Sequence, residues 1–398
     1  MQTALRAALL TGGVDRPYAF GLAMALAAKN VQVDVLGSDS VDSPEMHSTP
    51  NVTFLNLWPA RQTKPSLIGK VLRTLQHYLS LIRYAAGARP RAFHILWNSK
   101  IQLFDRTLLM LYYRLLGKRV ALTAHNVNQA RRDGRDSWLN RITLRIQYHL
   151  ADHIFVHTQK MKTELLEDFG VADQSVTVIR HPINNAFPDT ALAPSEAKKR
   201  LGLGESDKTI LCFGKIKPYK GIEYLLPAFQ QLADKDVRYR LIIAGEVQRG
   251  NEEYLDSLVK ATPPDIKKDQ IILKTEFIPD EEMEVYFKAA DVLVLPYKDI
   301  FQSGVLFLGY SFGLPVIVTD VGSFREEILE GKTGYLCKPE DPTDLVRAIE
   351  AYFASDLYRN LRSTRQEIKH YADTHHSWGA VASLTRRAYE RMLGSINL

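Results

Sequence analysis

The sequence predicts an α/β protein of two domains, each a mostly parallel sheet covered by helices. Three observations predict it. The chain has 398 residues, more than a single hydrophobic core usually serves. Short β-rich runs alternate with helical patterns along most of its length, the rhythm of βαβ units. That rhythm pauses once, in a segment rich in Pro, Gly, Ser and charge, and then restarts.

The elements follow in order. LRAALLT (5–11) reads as a first strand, AFGLAMALAAK (19–29) as a helix and VQVDVLG (31–37) as a second strand. AFHILW (92–97), RVALTAH (119–125), HIFVHT (153–158) and VTVIRHP (176–182) continue the strands, with helical patterns between them. A first domain over 1–185 and a linker over 186–208 are expected. A second domain, 209–375, then reads TILCFGK (209–215), a helix at 221–234, YRLIIAG (239–245), QIILKTEFI (270–278) and DVLVLPY (291–297). VLFLGYSFG reads as a buried helix, followed by LPVIVTD (314–320) and GYLCKP (334–339). A last helix, 376–398, lies beyond the second sheet and is placed to return to the first domain.

Composition narrows the function classes. Hydrophobic residues make up 45% and charged residues 24%, which excludes a disordered or low-complexity chain. The two cysteines, Cys212 and Cys337, lie in apolar segments and read as buried thiols of a reducing compartment, without a disulfide framework. No Cys/His cluster has metal-ligand spacing, so no metal is expected. The N-terminus lacks a signal-peptide pattern, and no apolar run is long enough to span a membrane. A cytoplasmic location is expected. Charge is uneven: residues 1–188 carry 23 Lys+Arg and 13 Asp+Glu, whereas the rest carries 28 and 32. The basic first half should prefer an anionic partner. Within it, 66–91 spaces Ile68, Val71, Leu72, Leu75, Leu79 and Ile82 at helical intervals beside Lys70, Arg73, Arg83, Arg89 and Arg91. That pattern fits either peripheral binding to the inner face of an anionic membrane or an ordinary sheet-covering helix with solvated arginines. Nucleic acid is not expected, because no recognised binding motif accompanies the charge.

Open parallel sheets bind ligands at the carboxyl ends of their strands, so residues just after each strand are the candidates. Gly12 and Gly13 follow the first strand and permit close backbone approach to a phosphate or sugar, or simply make a tight turn. In FGKIKPYKG, Lys215 and Lys220 flank a loop that enters a helix, a pairing suited to a diphosphate or to a solvated surface. His125 follows an apolar strand and suits either a hydrogen bond to a sugar or proton transfer. His94, His153 and His157 read as packing residues, and His181 as a hinge or site residue. In DIFQSGV, Gln302, Ser303, Gly304 and Val305 start the buried helix and aim its free N–H groups at whatever occupies the crevice, an anionic diphosphate fitting best.

FGKIKPYKGIEYLLPAF, LIIAGE, FIPDEEMEVYFKAADVLVLPY, SFGLPVIVTDVGSFREEI and GKTGYLCKPEDPTDLVRAI occur in that order over roughly 209–350. In these pieces the second half resembles the nucleotide-sugar-binding domain of family 4 glycosyltransferases (glycosyl transferases group 1). LLTGG, TAHN and ADHIFVHTQKMKTELLEDFG carry a looser resemblance in the first half. The resemblance implies the GT-B fold of two Rossmann-like domains, with the acceptor on the first. It implies hexosyl transfer from a nucleotide-diphosphate sugar, bound in the interdomain cleft, to a carbohydrate or lipid-linked acceptor hydroxyl. Retention of configuration is usual, in polysaccharide or glycolipid synthesis, with no cofactor required. Lys215 and Lys220 match the family's diphosphate-holding Arg/Lys pair, with Lys where Arg is common. Phe277 and Ile278 match the base-recognition segment, Gly12 and Gly13 the glycine loop, and His125 the histidine near the transferred sugar. The family's E-x7-E motif is absent. Its positions fall on Ile300 and Leu308, which shifts donor contacts toward Asp299, Gln302 or Ser303, while Glu326 remains in the following loop. Two other readings stand beside the enzyme: a nucleotide-sugar-binding protein with weak or no turnover, and a nicotinamide oxidoreductase. The second lacks the full G-x-G-x-x-G fingerprint.

Overall fold

The computed structural model describes residues 5–58, 67–132, 134–183, 189–261 and 270–394. The chain divides into two compact units, residues 1–182 with 376–398, and residues 183–375.

The first unit holds a parallel sheet of seven strands: β1 (Arg6–Leu10), β2 (Gln32–Ser38), β3 (Val52–Trp58), β4 (Ala92–Ile95), β5 (Arg119–Thr123), β6 (His153–Val156) and β7 (Val176–Val178). Their spatial order is β3-β2-β1-β4-β5-β6-β7. The strand order reverses between β1 and β4, where Leu9 pairs with Val35 on one side and His94 on the other. β3 was not expected from the sequence. It is an edge strand, none of its residues is buried, and its run NVTFLNLW lacks the apolar density of the central strands.

The helix Arg16–Ala28 packs Leu22, Ala23 and Leu26 on this sheet and also meets the helix Trp378–Met392. Gly21 makes that approach possible: a Cβ there would lie 2.1 Å from the Trp378 ring. The last helix therefore belongs to the first unit, although residues 395–398 of its expected span lie outside the described residues.

The second unit holds a parallel sheet of six strands: β8 (Lys208–Phe213), β9 (Tyr239–Ala244), β10 (Ile271–Lys274), β11 (Val292–Leu295), β12 (Val316–Thr319) and β13 (Gly334–Cys337). Their order is β10-β9-β8-β11-β12-β13, reversing between β8 and β11. Successive side chains of a strand point to opposite faces, and both faces here are buried. Leu211, Phe213, Leu293 and Leu295 enter one core with Phe287, Phe307 and Leu308. Ile210, Cys212, Val292 and Val294 enter the other with Phe229, Ile243 and Tyr352. Both cysteines are buried free thiols.

Several expected boundaries move. The 186–208 segment is not a free linker. Its residues 186–188 lie outside the described residues, but Pro194–Arg200 is a helix whose Ala197 is fully buried in the second unit. There Lys198 forms a buried ion pair with Asp291 at 3.0 Å. β5 ends at Thr123 and β10 at Lys274, so His125, Phe277 and Ile278 sit in loops beyond them. β11 stops before Pro296, which has no N–H to donate to a ladder. Among the described residues no helix is long and apolar enough to cross a membrane.

Gly221 shows how tightly the second sheet's carboxyl edge is tied together. Its φ is 66°, and a Cβ would lie 1.9 Å from the Pro296 carbonyl oxygen. Gly221→Ala is expected to lose at least about 2 kcal/mol in urea denaturation, from left-handed strain plus the clash. A loss near zero would show that this contact is not fixed.

Candidate functional site

In the second unit the site begins where β8 ends. Gly214, at φ 103°, lets the chain leave the sheet sideways; a Cβ there would meet Val305 at 3.1 Å and Lys220 Nζ at 3.3 Å. The following loop closes against the end of β11 through the Gly221–Pro296 approach and the Lys298 N–H, which donates to Tyr219 O at 2.9 Å. These contacts carry Lys220 inward. It is only 5% exposed, its ammonium donates to the Tyr297 hydroxyl, and Nζ lies 4.2 Å from the centre of the Tyr297 ring. No ion pair among the described residues includes Lys220. Burial lowers its pKa, opposed by the nearby Tyr219 and Cys212.

Tyr297 is held in turn by Thr319, whose hydroxyl donates to the Tyr297 carbonyl at 2.6 Å. Ser303 Oγ donates to the Tyr297 hydroxyl at 3.5 Å. Ser303 is the N-cap of the eight-residue helix Gly304–Ser311, yet its side chain makes no capping bond. The helix start is therefore short of acceptors, beside a buried cation. Gly304 opens onto free space, for a Cβ there meets nothing within 4 Å. Both amide atoms of Gln302 are shielded from solvent without a hydrogen-bond partner among the described residues.

The structure thus brings Lys220, Ser303 and Val305 together, with Gln302 and Gly304 adjoining, where the strand order reverses. It separates the two lysines in character. Lys215 is exposed, with its ammonium 3.9 Å from Glu246. Asp299 and Glu326 are exposed, Phe277 is 64% exposed, and Ile278 is a core residue. Ile300 and Leu308 are buried in the same core. Tyr297 is the residue that the sequence reading missed. Its signal was its place directly after a buried strand.

In the first unit, Gly12 and Gly13 follow β1 at φ 61° and 75°. A Cβ on Gly12 would lie 2.6 Å from the Asn98 carbonyl, so this glycine is required by the chain leaving β4. Gly13 donates to Thr11 Oγ1 at 3.1 Å, and its carbonyl accepts from Ser38 and Ser40. Trp97, also after β4, stacks flat on His125, with ring centres 4.3 Å apart and planes 4° apart. His125 Nδ1 lies 3.1 Å from His157 Nε2, and Tyr18 meets the His125 ring edge-on. Trp97 and His157 were missed as site residues; both sit just past strand ends, and His157 resembled packing because it is buried. The glycine turn, Trp58, Trp97, Asn98 and Asp105 line a small cavity of about 30 Å³. His125, Asn126 and Arg106 line another of about 120 Å³ that shares Trp97 and Asn98 with the first.

The buried histidines are expected to make this unit acid-sensitive. Burial lowers the pKa of His94 and of His157 to about 3, from an unfolded value near 6.5. The unfolded chain then binds protons first. Stability is full above about pH 6.5 and falls as pH drops toward 3, by about 2 kcal/mol per histidine at about pH 5. Urea denaturation at about pH 7 and pH 5 is expected to show this loss, and His94→Gln to remove about one histidine's share of it. An equal acid loss in wild type and His94→Gln would contradict the assignment.

Comparison with known proteins places both halves of the chain. Residues 11–187 match the family model described as Glycosyltransferase Family 4, and residues 207–355 the one described as Glycosyl transferases group 1. A D-inositol 3-phosphate glycosyltransferase of Streptosporangium roseum is 25% identical over 215 residues, covering 53% of this chain and 49% of that protein. The chain spans about half the length of the curated relatives that it matches. The sucrose-phosphate synthase of Thermosynechococcus elongatus superposes with a TM-score of 0.77 at 18% identity, covering 98% of this chain and 100% of that one. Anabaena HepE in complex with UDP superposes at 0.73 with 14% identity, covering 98% and 100%. These likenesses show the fold: two parallel-sheet Rossmann-like domains of the GT-B type.

Proposed function

The chain belongs to the family 4, group 1 glycosyltransferases, and on that premise we propose that it moves a hexosyl group from a nucleotide-diphosphate sugar to an acceptor hydroxyl. The observation that carries this reading is the buried, carboxylate-free Lys220 beside an uncapped helix start. A cation and free N–H groups converging on one open position suit a diphosphate. The UDP complex of Anabaena HepE supports the same ligand class. Lys220 and the helix start would stabilise the charge that develops on the leaving diphosphate, which can itself take the acceptor's proton. Retention of configuration fits that route, which needs no separate strong protein base. Lys215, being exposed, would reach the outer phosphate as a mobile point charge.

Donor contacts in the family's E-x7-E positions are replaced here. Ile300 and Leu308 are core residues, so the sugar would be met by Gln302, whose amide has unspent donor and acceptor capacity. Asp299 and Glu326 lie exposed near the same loops and would serve as acceptors for sugar or ribose hydroxyls. Phe277 and the backbone at Ile278 would meet the nucleobase.

The acceptor reading draws on the first unit. In the helix Leu67–Gly87, Tyr78, Leu81 and Ala85 face the core, whereas Ile68, Val71, Leu72, Leu75 and Leu79 are all more than half exposed. Lys70, Arg83, Arg89 and Arg91 are exposed with them; Ile82 and Arg73 are half-buried. An uncovered apolar stripe among cations fits the surface of an anionic membrane and a lipid-linked acceptor of glycolipid or polysaccharide synthesis.

Purified chain incubated with a panel of nucleotide sugars and lipid or sugar acceptors is expected to consume one donor; binding without turnover would favour the non-enzymatic reading. Lys220→Met is expected to leave stability equal or higher, by removing a buried charge, while abolishing the thermal stabilisation that uridine diphosphate gives wild type, about 2.7 kcal/mol at a hundredfold excess over Kd. An undiminished shift would rule out the diphosphate role. Vesicles containing anionic lipid are expected to sediment wild type at low salt and to lose most of that binding with Leu72→Gln/Leu75→Gln; equal binding would rule out the membrane face.

A further inference from the structure

The surroundings of His125 dictate which of its nitrogens carries the proton. His157 Nδ1 lies 3.1 Å from the Ile179 carbonyl oxygen, which only accepts, so this nitrogen is protonated. Burial keeps His157 neutral, which leaves its Nε2 a bare lone pair. That Nε2 lies 3.1 Å from His125 Nδ1. Two lone pairs do not attract, so His125 Nδ1 bears the proton and donates. His125 is itself held neutral, first by burial and then by the neighbouring His157, His181 and His94. Its remaining nitrogen, Nε2, is therefore an acceptor, and it is buried with no partner among the described residues. The relay is anchored to the sheet, because the Ile179 N–H donates to Val156 O at 2.8 Å. The ring is fixed as well: Trp97 covers one face, and Tyr18 meets it at 4.7 Å and 83°.

We infer that His157 is a positioning residue that holds His125 in the Nδ1–H tautomer, so that His125 Nε2 accepts a hydrogen bond from a hydroxyl of the bound sugar or acceptor. The same lone pair repels phosphate oxygens. A polyol rather than a phosphate is thus selected at His125. So weak a base orients its hydroxyl and does not remove its proton. The identity of the hydroxyl rests on the glycosyltransferase reading; the tautomer does not.

Long-range proton–nitrogen NMR of the full chain with labelled histidine, assigned by the signals lost in His125→Asn, tests the relay directly. Wild type is expected to show His125 with a protonated Nδ1 and a bare Nε2. His157→Gln should preserve that pattern, since its amide both accepts from His125 and donates to Ile179 O, whereas His157→Phe should give a mixture of tautomers. A proton on Nε2 in wild type, or an unchanged His125 spectrum in His157→Phe, overturns the inference even where a variant is less stable. In transfer assays His157→Phe should lower kcat/KM about tenfold and His157→Gln restore it. The defect should vanish with a donor lacking the contacted hydroxyl if the group is the donor's, or with the matching deoxy acceptor if it is the acceptor's. A defect that persists in full with both sets of deoxy substrates removes the hydroxyl contact. The predicted tautomer without turnover of any nucleotide sugar would leave the relay standing and remove the donor reading instead.

Discussion

A lysine ammonium buried against a tyrosine, with no carboxylate paired to it, is the constraint on which the second unit's site depends. An isolated cation is costly to bury, and burial pushes this lysine's pKa down. The surrounding chain is arranged so that this cost is tolerated rather than relieved. Gly214 and Gly221 take conformations that side chains resist, Pro296 ends a strand early, and Thr319 and Ser303 hold the tyrosine whose hydroxyl accepts the ammonium's hydrogen bond. None of these contacts neutralises the charge. An anionic ligand at the neighbouring helix start would do so, and that is the physical case for a diphosphate there.

Ile300 and Leu308 stand where the family resemblance places a pair of glutamates, and the packing explains how apolar residues are accommodated there. Ile300 and Leu308 close the core beneath the loop and the helix Gly304–Ser311. Gly322, at φ 58°, lies so near that a Cβ would meet the Ile300 carbonyl at 1.9 Å, and Ser323 donates to Phe301 O at 3.1 Å. The backbone of the loop is therefore set by its neighbours and not by the missing carboxylates. What is lost is chemistry rather than shape, and Gln302 is the polar side chain left in place to supply it.

The parallel architecture was legible because both faces of each sheet are buried, which makes strands such as VLVL and VIVT continuously apolar. The edge strand β3 was not, because half-exposed residues leave no such run. Candidate residues were found where a rule named a place, directly after a strand, as with Gly12, His125 and Lys220. The same rule names Trp97, His157 and Tyr297, but their residue types suggested packing, and only contacts between distant strands show what they hold. The two lysines looked equivalent in sequence; the glycines on either side of Lys220 decide that it turns inward while Lys215 stays in solvent. The linker reading failed because Ala197 and Lys198 find partners in the second unit that no local composition reveals.

The proposed diphosphate site requires Lys220 to be a charge that awaits its counter-ion. Following the Lys220 Nζ resonance through a pH titration, with and without saturating uridine diphosphate, measures that directly. A pKa below that of ordinary lysines is expected in the free protein, with a clear rise when the diphosphate is bound, because an adjacent anion favours the ammonium. An ordinary lysine pKa in the free chain, or no change on binding, would contradict it.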